Sequence, residues 1–116
     1  MVDLIEVQTT VGSEDEAGRI ADRLLSERLA ACVQVTGPIV SRYWWQGTLE
    51  QANEWVCTAK SVASLYERIE AAIRAVHSYE EPQIVAVAVL RASAGYEQWV
   101  RDEVQLPPRQ GQGPTP

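Results

Sequence analysis

A chain of 116 residues with a formal charge of -6, 22% charged and 46% hydrophobic side chains, is long enough to bury the core of one ordinary domain. Its Lys and Arg residues are scattered and form no basic stripe able to neutralise phosphates, which argues against nucleic acid as a partner. The longest apolar run, Ile84 to Leu90, has seven residues where a membrane-spanning helix needs about 20, so no membrane partner is expected either.

Near the amino terminus, Asp3 and Glu6 stand where a secretory leader would be basic and then apolar, and a cytoplasmic location is expected. Cys32 and Cys57 lack C-x-x-C spacing and sit among apolar residues. They read as buried free thiols rather than a disulfide.

The first predicted element is a strand, Leu4 to Thr9, closed by Gly12. Ser13 followed by Glu16 is a capping-box signature, and Ala17, Ile20, Ala21, Leu24, Leu25 and Leu29 then recur at helical spacing, which predicts an amphipathic helix. Strand character returns in Cys32 to Val35 and Ile39 to Trp45, and after a Gln46-Gly47 turn in Leu49 to Thr58. Gly37-Pro38 predicts a bulge or an edge position, because Pro cannot donate to a ladder.

Ser61 is the expected N-cap of a second helix whose stripe is Val62, Leu65, Tyr66, Ile69, Ile73 and Val76, ended before Pro82. Ile84 to Leu90 reads as a buried strand, and Ala94 to Val104, with Tyr96, Trp99, Val100 and Val104 at helical steps, as a short terminal helix. Residues 106–116 carry few apolar anchors and are expected to be a disordered tail on a domain of residues 1–105.

The order strand, helix, strand, strand, helix, strand, helix predicts an α+β, ferredoxin-like fold: βαββαβ plus a C-terminal helix, an antiparallel sheet with the main helices on one face. Neighbouring strand residues point to opposite faces, so Trp44 and Trp45 cannot both lie under those helices. One must look out from the sheet or extend beyond it, which makes Tyr43, Trp44 and Trp45 candidates for a subunit interface. The alternative is a Trp covered by the chain's own terminal helix. For catalysis the residues offer only a Cys57–His77 dyad, with Cys57 placed in a core strand, and no phosphate-binding loop or zinc ligand set. A non-enzymatic protein is expected.

Five spaced pieces carry a family resemblance: Leu29-Ala30-Ala31-Cys32; Ser41-Arg42-Tyr43-Trp44-Trp45-Gln46-Gly47; Glu54 with Lys60-Ser61; His77-Ser78-Tyr79-Glu80-Glu81-Pro82; and Tyr96-Glu97-Gln98-Trp99. In this order and spacing, over about residues 2 to 105, they resemble the CutA divalent-ion tolerance family. The resemblance implies a ferredoxin-like subunit in a homotrimer, similar in architecture to the PII signalling proteins, with a role in tolerance of or response to divalent ions, copper among them. Ser78 stands where the family has Pro, and the candidate copper ligands of some bacterial members, a Cys at the end of the first strand and a His-His pair, correspond here to Thr9 and Val76-His77.

No cofactor is required on this reading. If a divalent cation such as copper binds, His77 and Glu80 are its expected ligands, while Trp45, Glu54, Lys60 and Tyr79 gather as the walls of a ligand cleft. A hydrogen-bonded turn histidine and a solvated ion-pair network are the structural alternatives for these residues. The functional alternatives to metal response are a PII-like trimer sensing a small ligand at a subunit cleft and a scaffold for another protein.

Overall fold

The computed structural model describes residues 4–104. The tail expected over 106–116, and with it the outer limit of the 1–105 domain, lies outside the described residues. The elements are β1 (Leu4–Val11), α1 (Glu14–Ser26), β2 (Cys32–Trp45), β3 (Thr48–Val62), a 3-10 turn (Ala63–Leu65), α2 (Tyr66–Val76), β4 (Ile84–Ala88) and α3 (Ala94–Glu103). The strands pair antiparallel in the spatial order β2-β3-β1-β4. This is the ferredoxin-like arrangement that the element order predicts.

Alternation along β1 divides the molecule. Val7, Thr9 and Val11 are buried on the core side, whereas Glu6, Gln8 and Thr10 turn to the other face and are only partly buried. Ile20 and Leu24 of α1, Leu65 of the 3-10 turn and Ile69 and Ile73 of α2 fill the core side, each almost fully removed from water. Each contributes about 1.5–3 kcal/mol by transfer.

Half of the capping box predicted for α1 forms: the Ser13 side chain accepts the Glu16 backbone N–H at 3.1 Å, but the Glu16 carboxylate does not return to Ser13 and is used elsewhere. At its other end Leu29 N–H donates to the Leu24 carbonyl (2.9 Å) and Arg28 N–H to the Leu25 carbonyl (3.1 Å), a Schellman pair. Arg28 occupies the left-handed position (φ 57°) normally given to Gly, and its Nη1 donates to Glu103 Oε1 at 2.8 Å, which ties the end of α1 to α3.

Helix α2 starts later than the sequence predicts. Ser61 is no N-cap: it is the penultimate residue of β3, pairs with Ile5 of β1, and its Oγ donates to the Leu29 carbonyl at 2.6 Å. Strand pairing with β1 keeps β3 extended to Val62 and overrides the local capping signal. Val62, expected on the α2 stripe, is therefore a strand residue.

Past the Val11–Trp55 pair, β2 and β3 continue without β1 as a two-stranded arm from Ile39–Glu54 to Trp45–Thr48. Gln46 (φ 51°) and Gly47 (φ 81°) close it with both turn residues left-handed, the geometry that suits the twist of a tight hairpin. At its root the β2–β3 register shifts between Thr36 and Ile39, at Gly37-Pro38 as expected. A Cβ on Gly37 would approach Cγ of Trp55 to 2.7 Å, so glycine is what lets the indole lie across the strand. The arm gives the subunit a long axis of 53 Å against 28 and 23 Å.

Candidate functional site

Where the arm leaves the sheet, a cleft of about 660 Å³ opens between it and the loop joining α2 to β4. Every second residue of β2 faces it, which brings Ser41, Tyr43 and Trp45 to one wall, and Arg42 reaches its edge. Thr10 of β1 and Glu54 of β3 lie at the base, and the loop residues Tyr79, Glu80 and Glu81 form the opposite wall. Tyr79 Oη donates to Glu54 Oε2 at 2.8 Å and so closes the base of the cleft. Burial first, and then the Glu54 carboxylate as acceptor and as charge, push the Tyr79 phenol far above its usual pKa of 10.0. The phenol therefore keeps its proton and serves as a donor at all ordinary pH.

Four of the residues expected at a ligand cleft or metal, Trp45, Glu54, Tyr79 and Glu80, are thus brought together. Two are not. Lys60 lies six residues beyond Glu54 on β3, where its Nζ bonds Glu6 Oε2 of β1 at 2.6 Å across the pair Glu6–Lys60. That bond is the main cause of its raised pKa. Lys60 is a cross-strand ion-pair partner rather than a cleft wall.

The corresponding correction for His77 concerns the metal reading. Its imidazole is fully buried; Nε2 lies 2.9 Å from the Thr10 carbonyl, and Nδ1 accepts the Tyr79 backbone N–H at 3.1 Å. With Nε2–H donating and Nδ1 accepting, one neutral tautomer satisfies both contacts, and no lone pair is left for a metal. Glu80, the second expected ligand, is exposed on the cleft wall and is not among the hydrogen-bond or ion-pair partners of the ring. Among the described residues no group of three or more His, Cys, Asp or Glu side chains converges as a metal centre.

Beneath the loop lies a carboxylate that no sequence signal marked beyond its capping role. Glu16 is buried, and it accepts the Ser78 backbone N–H at 2.8 Å and the Ser78 hydroxyl at 3.0 Å, with His77 Nδ1 3.6 Å away. Ser78 stands here at the family's Pro position. It supplies two donors that Pro could supply neither of.

Thr9, at the position of the family's Cys, faces the core rather than the cleft. It pairs with Cys57 across the β1–β3 ladder, is 1% exposed, and its Oγ1 has no hydrogen-bond partner. The cleft residue is its neighbour, Thr10. Removing an orphaned buried hydroxyl at constant shape should stabilise the fold, so Thr9→Val is expected to gain about 1 kcal/mol in urea unfolding, and Thr9→Cys is expected to place a thiol in the core with no effect on any cleft ligand.

The Cys57–His77 dyad does not assemble. The Cys57 thiol points to the Ala17 carbonyl at 3.7 Å, and burial, followed by the nearby Glu16 charge, pushes its pKa up to about 11, which keeps it protonated and unreactive. Cys32, expected to be buried, is half-buried at the start of β2; both cysteines are free. The interface candidates divide by face: Tyr43 and Trp45 look into the cleft, while Trp44, 72% exposed, projects from the opposite face beside its cross-strand partner Leu49, and all three stay exposed in the single chain.

Comparison with known proteins agrees with this architecture. The CutA1 divalent ion tolerance protein family matches residues 5–103. The chain is 35% identical over 99 residues to the divalent-cation tolerance protein CutA of Archaeoglobus fulgidus, covering 85% of this chain and 96% of that protein. Among solved structures, the CutA1 of Thermus thermophilus superposes with a TM-score of 0.86 at 32% identity, covering 88% of this chain and 99% of that one. The CutA1 of Oryza sativa superposes with a TM-score of 0.87 at 30% identity, covering 90% and 95%. With the split βαβ sheet, the extended aromatic hairpin and the His-Ser-Tyr-Glu loop all in place, the chain belongs to the CutA1 divalent ion tolerance protein family.

Proposed function

We propose that the chain acts in divalent-cation tolerance as a homotrimeric, non-catalytic binding protein of the cytoplasm, and that it senses a small ligand in the cleft rather than a copper ion held by His77. The cleft itself carries this reading. Its volume lies within the range of small-molecule sites, and it combines three aromatic walls with a buried, oriented carboxylate. The names of its relatives supply the physiological setting, divalent-cation tolerance.

Oligomerisation is supported by apolar surface that one subunit leaves uncovered: Val40, Trp44 and Leu49 on the arm, and Val85 and Val87 on the edge strand β4. A second copy can cover both at once. The arm then frames each cleft next to a neighbour's surface, which is how a ligand would bias the assembly.

Direct metal binding is the second reading, favoured by the negative charge that Glu54, Glu80 and Glu81 bring to one cleft, although their side chains do not converge as a ligand set. Isothermal titration of the full chain with copper, zinc and a panel of small cations, anions and neutral metabolites, repeated on Trp45→Ala, separates the two. Binding of an organic ligand that weakens by about two- to tenfold in Trp45→Ala is expected. Tight copper binding untouched by Trp45→Ala, with no organic ligand bound, would favour the metal.

A further inference from the structure

We infer that the cleft is shaped for a small organic cation, a protonated primary amine on an apolar stem. This rests on the cleft reading above and names its class of ligand. Glu54 provides the starting observation. It is 5% exposed, and one carboxylate oxygen accepts the Tyr79 hydroxyl at 2.8 Å. Among the described residues no Lys, Arg or His stands within ion-pair range of it, and no second donor reaches the other oxygen.

That second oxygen is not sealed: among the described residues the one buried side-chain polar atom lacking both partner and solvent contact is Thr9 Oγ1. It faces the cleft as an anchored acceptor that wants a positively charged N–H donor, since a largely buried carboxylate without a counter-charge is costly.

The walls point to the same chemistry. Tyr43, Trp45 and Tyr79 border the space next to Glu54. Aromatic faces attract an ammonium group through their quadrupole and pack against its methylenes. They give a metal ion nothing to coordinate. Glu80 and Glu81 add negative charge at the rim, where Glu81 is only loosely paired with Arg74 at 3.9 Å. Arg42 is the one cation of the lining and is exposed at its edge. Three carboxylates against one guanidinium leave the cleft net negative, which repels anions such as nucleotides and concentrates cations.

The test uses the intact oligomer and n-butylammonium as probe, with 1-butanol as its neutral isostere and butyrate as the anion, read by isothermal titration and by the shift in thermal midpoint. Butylammonium is expected to bind and to raise the midpoint, with butanol and butyrate at least about tenfold weaker. Glu54→Gln, which keeps the shape and the Tyr79 acceptor, should remove about tenfold or more of the ammonium affinity while leaving butanol unchanged. Trp45→Ala should weaken ammonium binding by about two- to tenfold.

Equal binding of butylammonium and butanol, or ammonium binding insensitive to Glu54→Gln, overturns the inference. In that case butanol or butyrate binding that is lost in Trp45→Ala would leave the cleft itself standing as a ligand site. Failure of all three probes, in wild type and variants alike, would remove both. If Glu54→Gln instead weakens assembly without touching the probes, the missing cation is a side chain of a second copy, and the inference is likewise overturned.

Discussion

Replacing Trp44 by Ser together with Leu49 by Lys is expected to turn the assembly into folded monomers. The two side chains are cross-strand partners near the tip of the arm, 72% and 50% exposed, on the face turned away from the cleft. No single-subunit role accounts for a Trp and a Leu stacked in water at the end of a hairpin that projects past the rest of the sheet. A central Trp in a protein interface is commonly worth more than about 2 kcal/mol of association free energy, and a Lys in the same patch adds an unpaired charge to bury. Because neither residue belongs to the buried core, far-ultraviolet circular dichroism should be retained. Sedimentation velocity at micromolar concentration should show the trimer for the wild type and the monomer for the double variant. A wild-type monomer, or a trimeric double variant, would remove the arm from the interface.

The second large effect is contrary to the usual expectation for a loop. Ser78→Pro restores the residue that the family places after its His and rigidifies the unfolded chain, which ordinarily stabilises by about 0.4–1 kcal/mol. Here it should destabilise by about 2–4 kcal/mol, because the same change removes both donors that Ser78 gives to the buried Glu16 carboxylate. Glu16→Gln in the Ser78→Pro background relieves the buried charge and should recover part of the loss. Urea unfolding of the two single variants and the double variant gives the coupling directly, and additive effects would mean that the two residues do not share a bond of consequence. Since His77 and Tyr79 flank Ser78, the same unhooking should also soften the cleft wall.

The distribution of what was legible in the sequence follows from the range of each interaction. Hydrophobic pattern marked every strand and helix, though β4, expected to be buried, is an edge strand exposed in the single chain because no described strand pairs beyond it. The Gln46-Gly47 turn and the Gly37-Pro38 irregularity were legible because their causes are local backbone chemistry. Ser61 misled because its hydroxyl is used by Leu29, 32 residues away, and its backbone by β1. Glu16 and Ser78 meet across 62 residues of chain, so the capping-box signature gave no sign that the Glu16 carboxylate serves the distant loop instead of Ser13.

The site was half legible for a comparable reason. Aromatic and acidic family positions do gather at the cleft, yet whether a strand residue joins them depends on parity: Thr10 faces it and Thr9 does not. Lys60 shares the outer sheet face but is spent on Glu6, a partner that only the β1–β3 register reveals. His77 has the residue type and the motif position of a ligand, and what disqualifies it is two backbone partners, Thr10 and Tyr79, one of them 67 residues distant.

The most direct test concerns that imidazole. The chain contains one histidine, so a long-range nitrogen-15 to proton correlation spectrum of the labelled protein reports His77 alone. The hydrogen-bond geometry predicts a single neutral tautomer, with the proton on Nε2 facing the Thr10 carbonyl and Nδ1 accepting from Tyr79, and the pattern should not change on addition of stoichiometric zinc. A ring nitrogen that moves to a metal-bound shift as zinc is added, in a protein that stays folded, would contradict the account and return His77 to the role of a metal ligand.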